Sequence, residues 1–517
     1  MGIGILTPTT LPPRPPMPRQ EDQDRAEYQM ARWLMLKEKH GSIVEEWLVS
    51  YIDPDILKKW GEPDISYDLV AAYAKQLTTP GRYWKRPTLT HPDPSAEGLI
   101  GPKGAIAKAG YWTKMQRIEY FTIGIGDYLV HVSVDSRGSL VYRPVAPHNV
   151  ILTWDEENPD RLVQVLELRV RWSDPEQRWH WAWDVYDISD PKNPSWRVLS
   201  ATETEPQPDG TMAPMDLSST FLVHADGEST GALVGAAYPF RDDDTGDLFI
   251  PYGHHSSADV IGWNIDELRG LHRATLHATT YATYAGRTAL DATGPFSIVY
   301  GLEIGADIRF GEDGTPTSAG EPVRTIPITP GMVLSATAIA EKVGKLDFNA
   351  GVNLPALSKF VETYTSNAMR LRGLGGADAQ KQAANPTSGS ALYISDKGRR
   401  EYSTATNPIF HRDDLGIVVI SALVLNAFTG TSYPTDDDYS LVYAHVPLSP
   451  QEEANERDED EWKLKMGLKS RVDIMIERNP GLSREQAIER LRRVHEDEAA
   501  IAAANATTEP DTEEEAA

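Results

Sequence analysis

Apolar positions along this chain change period several times, and each change predicts a different element. From Asp22 onward, Ala26, Met30, Trp33 and Leu34 fall at i, i+4, i+7 and i+8 on one face, which predicts a helix. More helical pieces run to about Leu77, divided by Pro54, Pro63 and Pro80. Between about Tyr111 and Leu199 the period becomes two. Leu166, Leu168, Val170 and Trp172 alternate with Glu167, Arg169 and Arg171, and after the turn "SDPEQR" the residues Trp179, Trp181, Trp183 and Val185 alternate again. This predicts a hairpin that is apolar on one face. Its tryptophans read as cross-strand core residues beneath a helix rather than as a sugar-stacking surface.

Ser256 to about Leu290 contains no proline and reads as one long helix, reaching roughly 50 Å at 1.5 Å per residue. The Ala and Thr of its second half suit close packing against neighbouring copies of itself. A Gly/Pro-rich, strand-like insert follows at 294–350, and then a second helix from Leu354 to about Leu371. After the loop "GLGGADAQKQAANPTSGS" (373–390) comes a shorter helix carrying Lys397, Arg399 and Arg400, and then an apolar helix from Asp414 to Phe428. Near the C-terminus, Ser449-Pro450 with Glu452 forms a capping box and Gly467 ends that helix. Ser483 with Gln486 caps another helix, on which Ile488, Leu491 and Val494 make an apolar stripe. Residues 1–20 read as an extended Pro-rich arm with no core to join, and the last residues as an acidic tail.

The chain has 517 residues, no cysteine and a formal net charge of −26. The absence of cysteine excludes disulfides, Cys-zinc sites, iron–sulfur clusters and thiol nucleophiles. The acidic balance argues against tight binding to a phosphate backbone, because such affinity comes mostly from Lys and Arg releasing counterions. No secretory signal is expected, since Met1 to Gln20 lacks a sustained apolar region. The longest apolar run, Leu415 to Phe428, is interrupted by Ser421 and Asn426 and is shorter than the roughly 18 residues a membrane span needs. A soluble, cytoplasmically made protein of the α+β class is expected.

Catalytic signatures are weak. "GESTG" places Ser229 where a nucleophile elbow has its serine, but "ALVGAAYPF" reaches Pro239 too soon for the helix that must follow. Gly124-Ile125-Gly126 lacks a third glycine, and Gly344-Lys345 lacks the Ser or Thr of a phosphate-binding loop. "RDDDTGD" (241–247) has the composition of a calcium loop without its spacing and reads as a solvated turn. His254-His255 and His272/His277 form no His-x-x-x-His pair, so no metal and no cofactor is expected.

The order of elements, together with particular segments, resembles the portal proteins of tailed bacteriophages. "YRPVAPHNVILTWDEENPDRLVQVLELRV" (142–170) looks like the wing segment, and "IPYGHHSSADVIGWNIDELRGLHRATLHAT" (250–279) like the entry into the first stem helix. "TSGSALYIS" (387–395) is similar to the turn after the channel loop, and "GLKSRVDIMIERNPGLSREQAIERL" (467–491) to a C-terminal helical ending. The resemblance implies a wing at 22–251 and 391–447, stem helices at 252–293 and 351–372, a small α/β clip at 294–350 and a channel loop at 373–390. A helical crown at 448–505 would follow, with an N-terminal arm at 1–21 and an acidic tail at 506–517.

The resemblance further implies a homo-oligomeric ring of twelve chains at one capsid vertex, assembled in the bacterial host cytoplasm. Double-stranded DNA is driven through that ring by the terminase large subunit and later ejected. The implied partners are terminase, a head-tail adaptor, and the major capsid and scaffold proteins, with no membrane and no enzymatic role. Lys381, Gln382, Asn385, Ser388, Lys397, Arg399 and Arg400 are the candidates for channel or intersubunit contacts, with Arg269, Arg273 and Arg287 on the stem. Pairing of Arg399 and Arg400 with acidic residues of a neighbouring copy is the competing reading of those two. Two other functions stay open: a different oligomeric head component, such as a minor head or scaffold protein, and a serine esterase using Ser229.

Overall fold

The computed structural model describes residues 13–52, 54, 57–58, 61–78, 81–159, 161–173, 178–206, 211–218, 238–242, 245–260, 262–265, 268–293, 297–300, 309–310, 316–317, 333–336, 354–372, 374, 389–444, 450–478 and 484–506. Runs of helices and mostly antiparallel sheets follow one another along it, as in an α+β chain. The helices used below are α1 (Gln20–Leu36), α2 (Gly41–Val49), α3 (Leu69–Leu77), α4 (Tyr111–Ile125), α5 (Arg269–Thr293), α6 (Leu354–Arg370), α7 (Gly389–Thr429), α8 (Pro450–Lys465), α9 (Arg471–Arg478) and α10 (Arg484–Ala506).

Two sheets organise the N-terminal half. A five-stranded antiparallel sheet runs in sequence order through β4 (Val150–Trp154), β5 (Leu162–Ser173), β6 (Arg178–Asp187), β7 (Ser195–Pro206) and β8 (Met212–Asp216). A three-stranded sheet places β2 (Asp127–Val134) between β3 (Leu140–Val145) and β9 (Tyr252–Ser256). The expected hairpin is β5–β6, with Leu168 opposite Trp183 and Leu166 opposite Val185. Leu168, Trp183 and Val185 are buried with Met17 and with Ala26 of α1, so a helix covers this face, while Trp179 at the hairpin end is exposed. Met17 also corrects the reading of the Pro-rich arm: its end at Pro15 and Met17 is buried.

The other face of that hairpin is buried as well, although it carries charge. Glu167 and Asp184 are 3% and 0% exposed. Arg171 and Arg169 donate to Asp184 at 2.6 and 2.8 Å, and the Tyr252 hydroxyl and Arg143 donate to Glu167. Burial pushes the Asp184 carboxyl up, but Arg171 and Arg169 outweigh it and hold the group down at about 2.

Helix α1 buries Arg25 and Arg32 along with its apolar residues. Arg25 donates to the carbonyl of Val150 at 2.7 Å, and Arg32 to those of Ile125 and Ile265 at 2.6 Å each. Ile125 is the last residue of α4, so Arg32 places a cation where carbonyls lack intrahelical partners and the helix dipole is negative.

The expected helix from Ser256 is corrected: Tyr252–Ser256 is strand β9, and the helix begins at Arg269. Asp127 pairs with Ser256 across the sheet and also accepts the backbone N–H of Asn264 at 2.8 Å, while Gly262 has φ +86. Those contacts hold Ser256 in the sheet and Asn264 outside a helix. Strand β9 lies so close to α7 that a Cβ on Gly253 would sit 2.1 Å from Ile417 Cγ1. Gly253→Ala is therefore expected to lower stability by about 1–3 kcal/mol through overpacking, read as a shift in the urea midpoint. An unchanged midpoint would show that α7 yields freely at this contact.

Candidate functional site

The stem candidates lie on α5, which packs antiparallel to α6: the ring of His277 meets Tyr364 at 6.4 Å and that of Tyr281 meets Phe360 at 5.2 Å. The side of α5 bearing Ala274, Ala278 and Ala282 is buried within this chain. Leu69 at the start of α3 donates its N–H to Thr275 at 3.2 Å, and Asp64 donates to Thr283 at 3.0 Å. Both threonines also donate to carbonyls four residues back, which keeps their hydroxyls satisfied in the helix. Ala274, Thr275, Ala278, Ala282 and Thr283 of α5 thus pack or bond inside the chain. Arg269 and Arg273 are exposed and Arg287 is half-buried; the Arg269 guanidinium lies 5.9 Å from the Tyr28 ring.

The two helices expected at 391–428 are one: α7 spans 41 residues with Pro408 inside it. Lys397, Arg399 and Arg400 stand on its first half. The ring of Pro408 removes one backbone donor, and the neighbouring turns are held from outside. Arg82, buried, donates to Asn407 at 2.7 Å, to Thr406 at 2.8 Å and to Glu119 at 3.0 Å, and its guanidinium lies 4.0 Å from the Phe410 ring.

One turn further on, Asp414 accepts hydroxyls from Tyr83 and Tyr111 at 2.7 Å and from Tyr443 at 2.6 Å, with His255 Nε2 at 3.7 Å. Burial raises the Asp414 carboxyl to about 6, against the lowering effect of the three hydroxyl donors. Glu119 is raised to about 7 for the same reason, and Arg82 opposes that shift. The same buried carboxylate raises Tyr83 and Tyr111 well above the ordinary phenol range, after burial itself.

Farther along α7, Ile417, Val418, Ala422, Val424 and Leu425 are buried. Both interruptions of this apolar run are partnered: Ser421 with the Tyr142 hydroxyl at 2.8 Å, and Asn426 with the backbone of Tyr433 at 2.8 Å. Helix α7 is therefore clamped at its middle and buried in its second half, and it carries the cationic group on the half before the clamp.

Lys381, Gln382, Asn385, Ser388 and Ser229 lie outside the described residues. Of "RDDDTGD", residues 243–244 lie outside the described residues, and Gly246 N–H donates to Asp242 O at 2.8 Å. Among the described residues no group of three His, Asp or Glu is placed to hold a metal ion, and no helix is long and apolar enough to cross a membrane. Of the histidines named from the sequence, His254 bonds Asp127 at 3.1 Å, His255 is fully buried, and His272 stacks on Tyr28 at 4.6 Å. At the C-terminus, Gly467 ends α8 with φ +68, and α9 begins with a reciprocal bond pair between Ser470 and Asp473. On α10 the expected stripe is not a buried one: Ile488 is 50% exposed, Val494 is exposed and Leu491 is half-buried, while Ala487 is fully buried.

Sequence reasoning missed the Asp414 and Glu167/Asp184 clusters. The signal for the second was present, since Glu167, Arg169 and Arg171 alternate on the strand opposite Asp184. No family model matches the chain, and no curated protein matches it.

Proposed function

We propose that the chain is the portal subunit of a tailed bacteriophage: a ring at one capsid vertex, the channel through which terminase packages double-stranded DNA and through which the DNA later leaves. The observation that carries this reading is an arrangement. An α+β body gives rise to the antiparallel pair α5–α6, the segment between the two helices includes short paired strands, and the chain returns through the clamped helix α7. In this reading the body is the wing, α5 and α6 are the stem, the segment between them is the clip, and α8 to α10 form the crown. Twelve copies, a head-tail adaptor and the capsid and scaffold proteins complete the vertex.

A chain of net charge −26 suits a channel that must not grip its cargo. Each Lys or Arg contact with phosphate adds affinity through counterion release, so few cations on an acidic wall leave DNA free to slide. Clamping α7 at Pro408 would hold the half bearing Lys397, Arg399 and Arg400 at a set position relative to the stem. Replacing these three residues with Glu is expected to leave assembly intact and to lower DNA packaged per particle by about tenfold or more. Loss of assembly would instead assign them to pairing between copies. Full packaging by an intact assembly would remove them from the channel.

A further inference from the structure

The last three helices carry apolar side chains that open onto solvent. Helices α9 and α10 pack on each other. Yet among the described side chains of α8 to α10 only Ala487 is buried. Trp462, Met466 and Leu468 are each more than half exposed, and Ile488 and Val494 are exposed as well. Large apolar residues gathered so closely between positions 462 and 494 mark a contact with another molecule rather than scattered surface.

Each apolar patch also holds a charge to spare. Asp458, Trp462 and Met466 follow at i, i+4 and i+8, and the N–H of Met466 still donates to Trp462 O at 2.9 Å, so the three share one face. On α10, Ala487, Leu491 and Val494 share a face, and Arg490 borders it one turn before Val494. Asp458 and Arg490 are exposed, and among the described residues neither joins an ion pair of this chain. Their neighbours do: Glu459 with Lys463 at 2.6 Å, and Arg492 with Glu489 at 3.1 Å.

The wider charge balance selects the occupant. Helix α8 holds seven Asp and Glu against three Lys and Arg, whereas residues 467–495 hold seven Lys and Arg against four Asp and Glu. Two copies of either surface repel each other, and one of each attracts. We propose that α8 of one chain docks on α10 of a second copy, with Trp462 set against the stripe of Ile488, Leu491 and Val494, and Asp458 paired with Arg490. Because unlike surfaces meet, the contact is head-to-tail and repeats from chain to chain. It locates one contact of the proposed ring, and rests on that reading only for the closure of the repeat.

The experiment puts a photoreactive benzoylphenylalanine in place of Trp462 in the full-length protein, which keeps a large aromatic side chain at an exposed position. Isotope-labelled and unlabelled chains are mixed before assembly, and cross-links are mapped by mass spectrometry. The expected result is cross-linking between chains to residues 487–494, with covalent multimers larger than dimers. Cross-links within one chain, to α8 of a second copy, elsewhere, or to dimers alone would each overturn the proposal. Reversing one charge, in Asp458→Arg or Arg490→Glu, should weaken self-association by about tenfold, and combining the two should restore most of it. A double variant no better than the singles would overturn the pairing. Multimers without an axial opening in electron micrographs would remove the ring reading and leave this contact standing; rings without the cross-link would do the reverse.

Discussion

Asp414→Ala is expected to cost about 3–5 kcal/mol of unfolding free energy at neutral pH, because it strips the shared acceptor from a cluster in which Tyr83, Tyr111 and Asp414 itself are buried. Three hydroxyls, those of Tyr83, Tyr111 and Tyr443, donate to this one carboxylate, and they come from three separated parts of the chain. Tyr83 and Tyr111 would be left buried, and Tyr443 half-buried, without their acceptor. Tyr111 belongs to α4 and Tyr443 follows the short strand Ser440–Val442, so the loss would also loosen the middle of α7. Asp414→Asn keeps the shape and one acceptor oxygen, and should cost less. Urea unfolding of the two variants checks this order; equal and small losses would mean that water replaces the carboxylate.

Acid should destabilise the protein most steeply below about pH 4.5. Burial lowers His148 and His255 to about 3 and His272 to about 4, and lowers His131 well below the ordinary imidazole value. Each of these groups stays neutral in the folded chain while the unfolded chain takes up a proton near pH 6.5. Their stabilising contribution is complete above that value and is lost as pH falls toward 4 and then 3. The raised carboxyls act in the opposite sense: Glu119 at about 7 and Asp414 at about 6 contribute most at low pH, and that contribution is lost as pH rises through 6 to 7. The two effects partly cancel between pH 6.5 and about 4.5. Below that the carboxyls are protonated in both states and the histidine loss is unopposed, at about 1.4 kcal/mol per group per pH unit. Urea midpoints at pH 7, 5 and 3.5 should fall modestly and then sharply; a constant midpoint down to pH 3.5 would contradict this account.

Local rules carried the sequence reading where local physics decides the outcome. The alternation in 166–172 and 179–185 specified the β5–β6 hairpin, because a period of two leaves one face apolar whatever packs on it. The capping signals at Pro450 and Gly467 likewise marked the ends of α8. What escaped was set by distant partners. Ser256 to Leu268 has helical composition, yet Asp127, 137 residues away from Asn264 in the chain, holds Ser256 in the sheet and Asn264 outside a helix. The sequence also divided this region into a shorter helix carrying Lys397, Arg399 and Arg400 and an apolar helix from Asp414, whereas one helix runs through both with Pro408 inside it. Arg82, 325 residues from Asn407, bridges that point and accompanies an unbroken helix. Of the candidate site, the cationic group and its helix were legible from composition. The Arg82 and Asp414 clamp that positions them was not, because Tyr83, Tyr111 and Tyr443 converge only in the fold.

The central claim is that copies of this chain close into a ring around an axial channel. Electron microscopy of the purified full-length protein, with native mass spectrometry to count the copies, tests it most directly. The account predicts rings with a central opening, built from twelve chains of 57.2 kDa. Compact monomers or dimers, or open assemblies with no axial hole, would contradict it, and labelling of such monomers at Ser229 by a fluorophosphonate would favour the esterase reading instead.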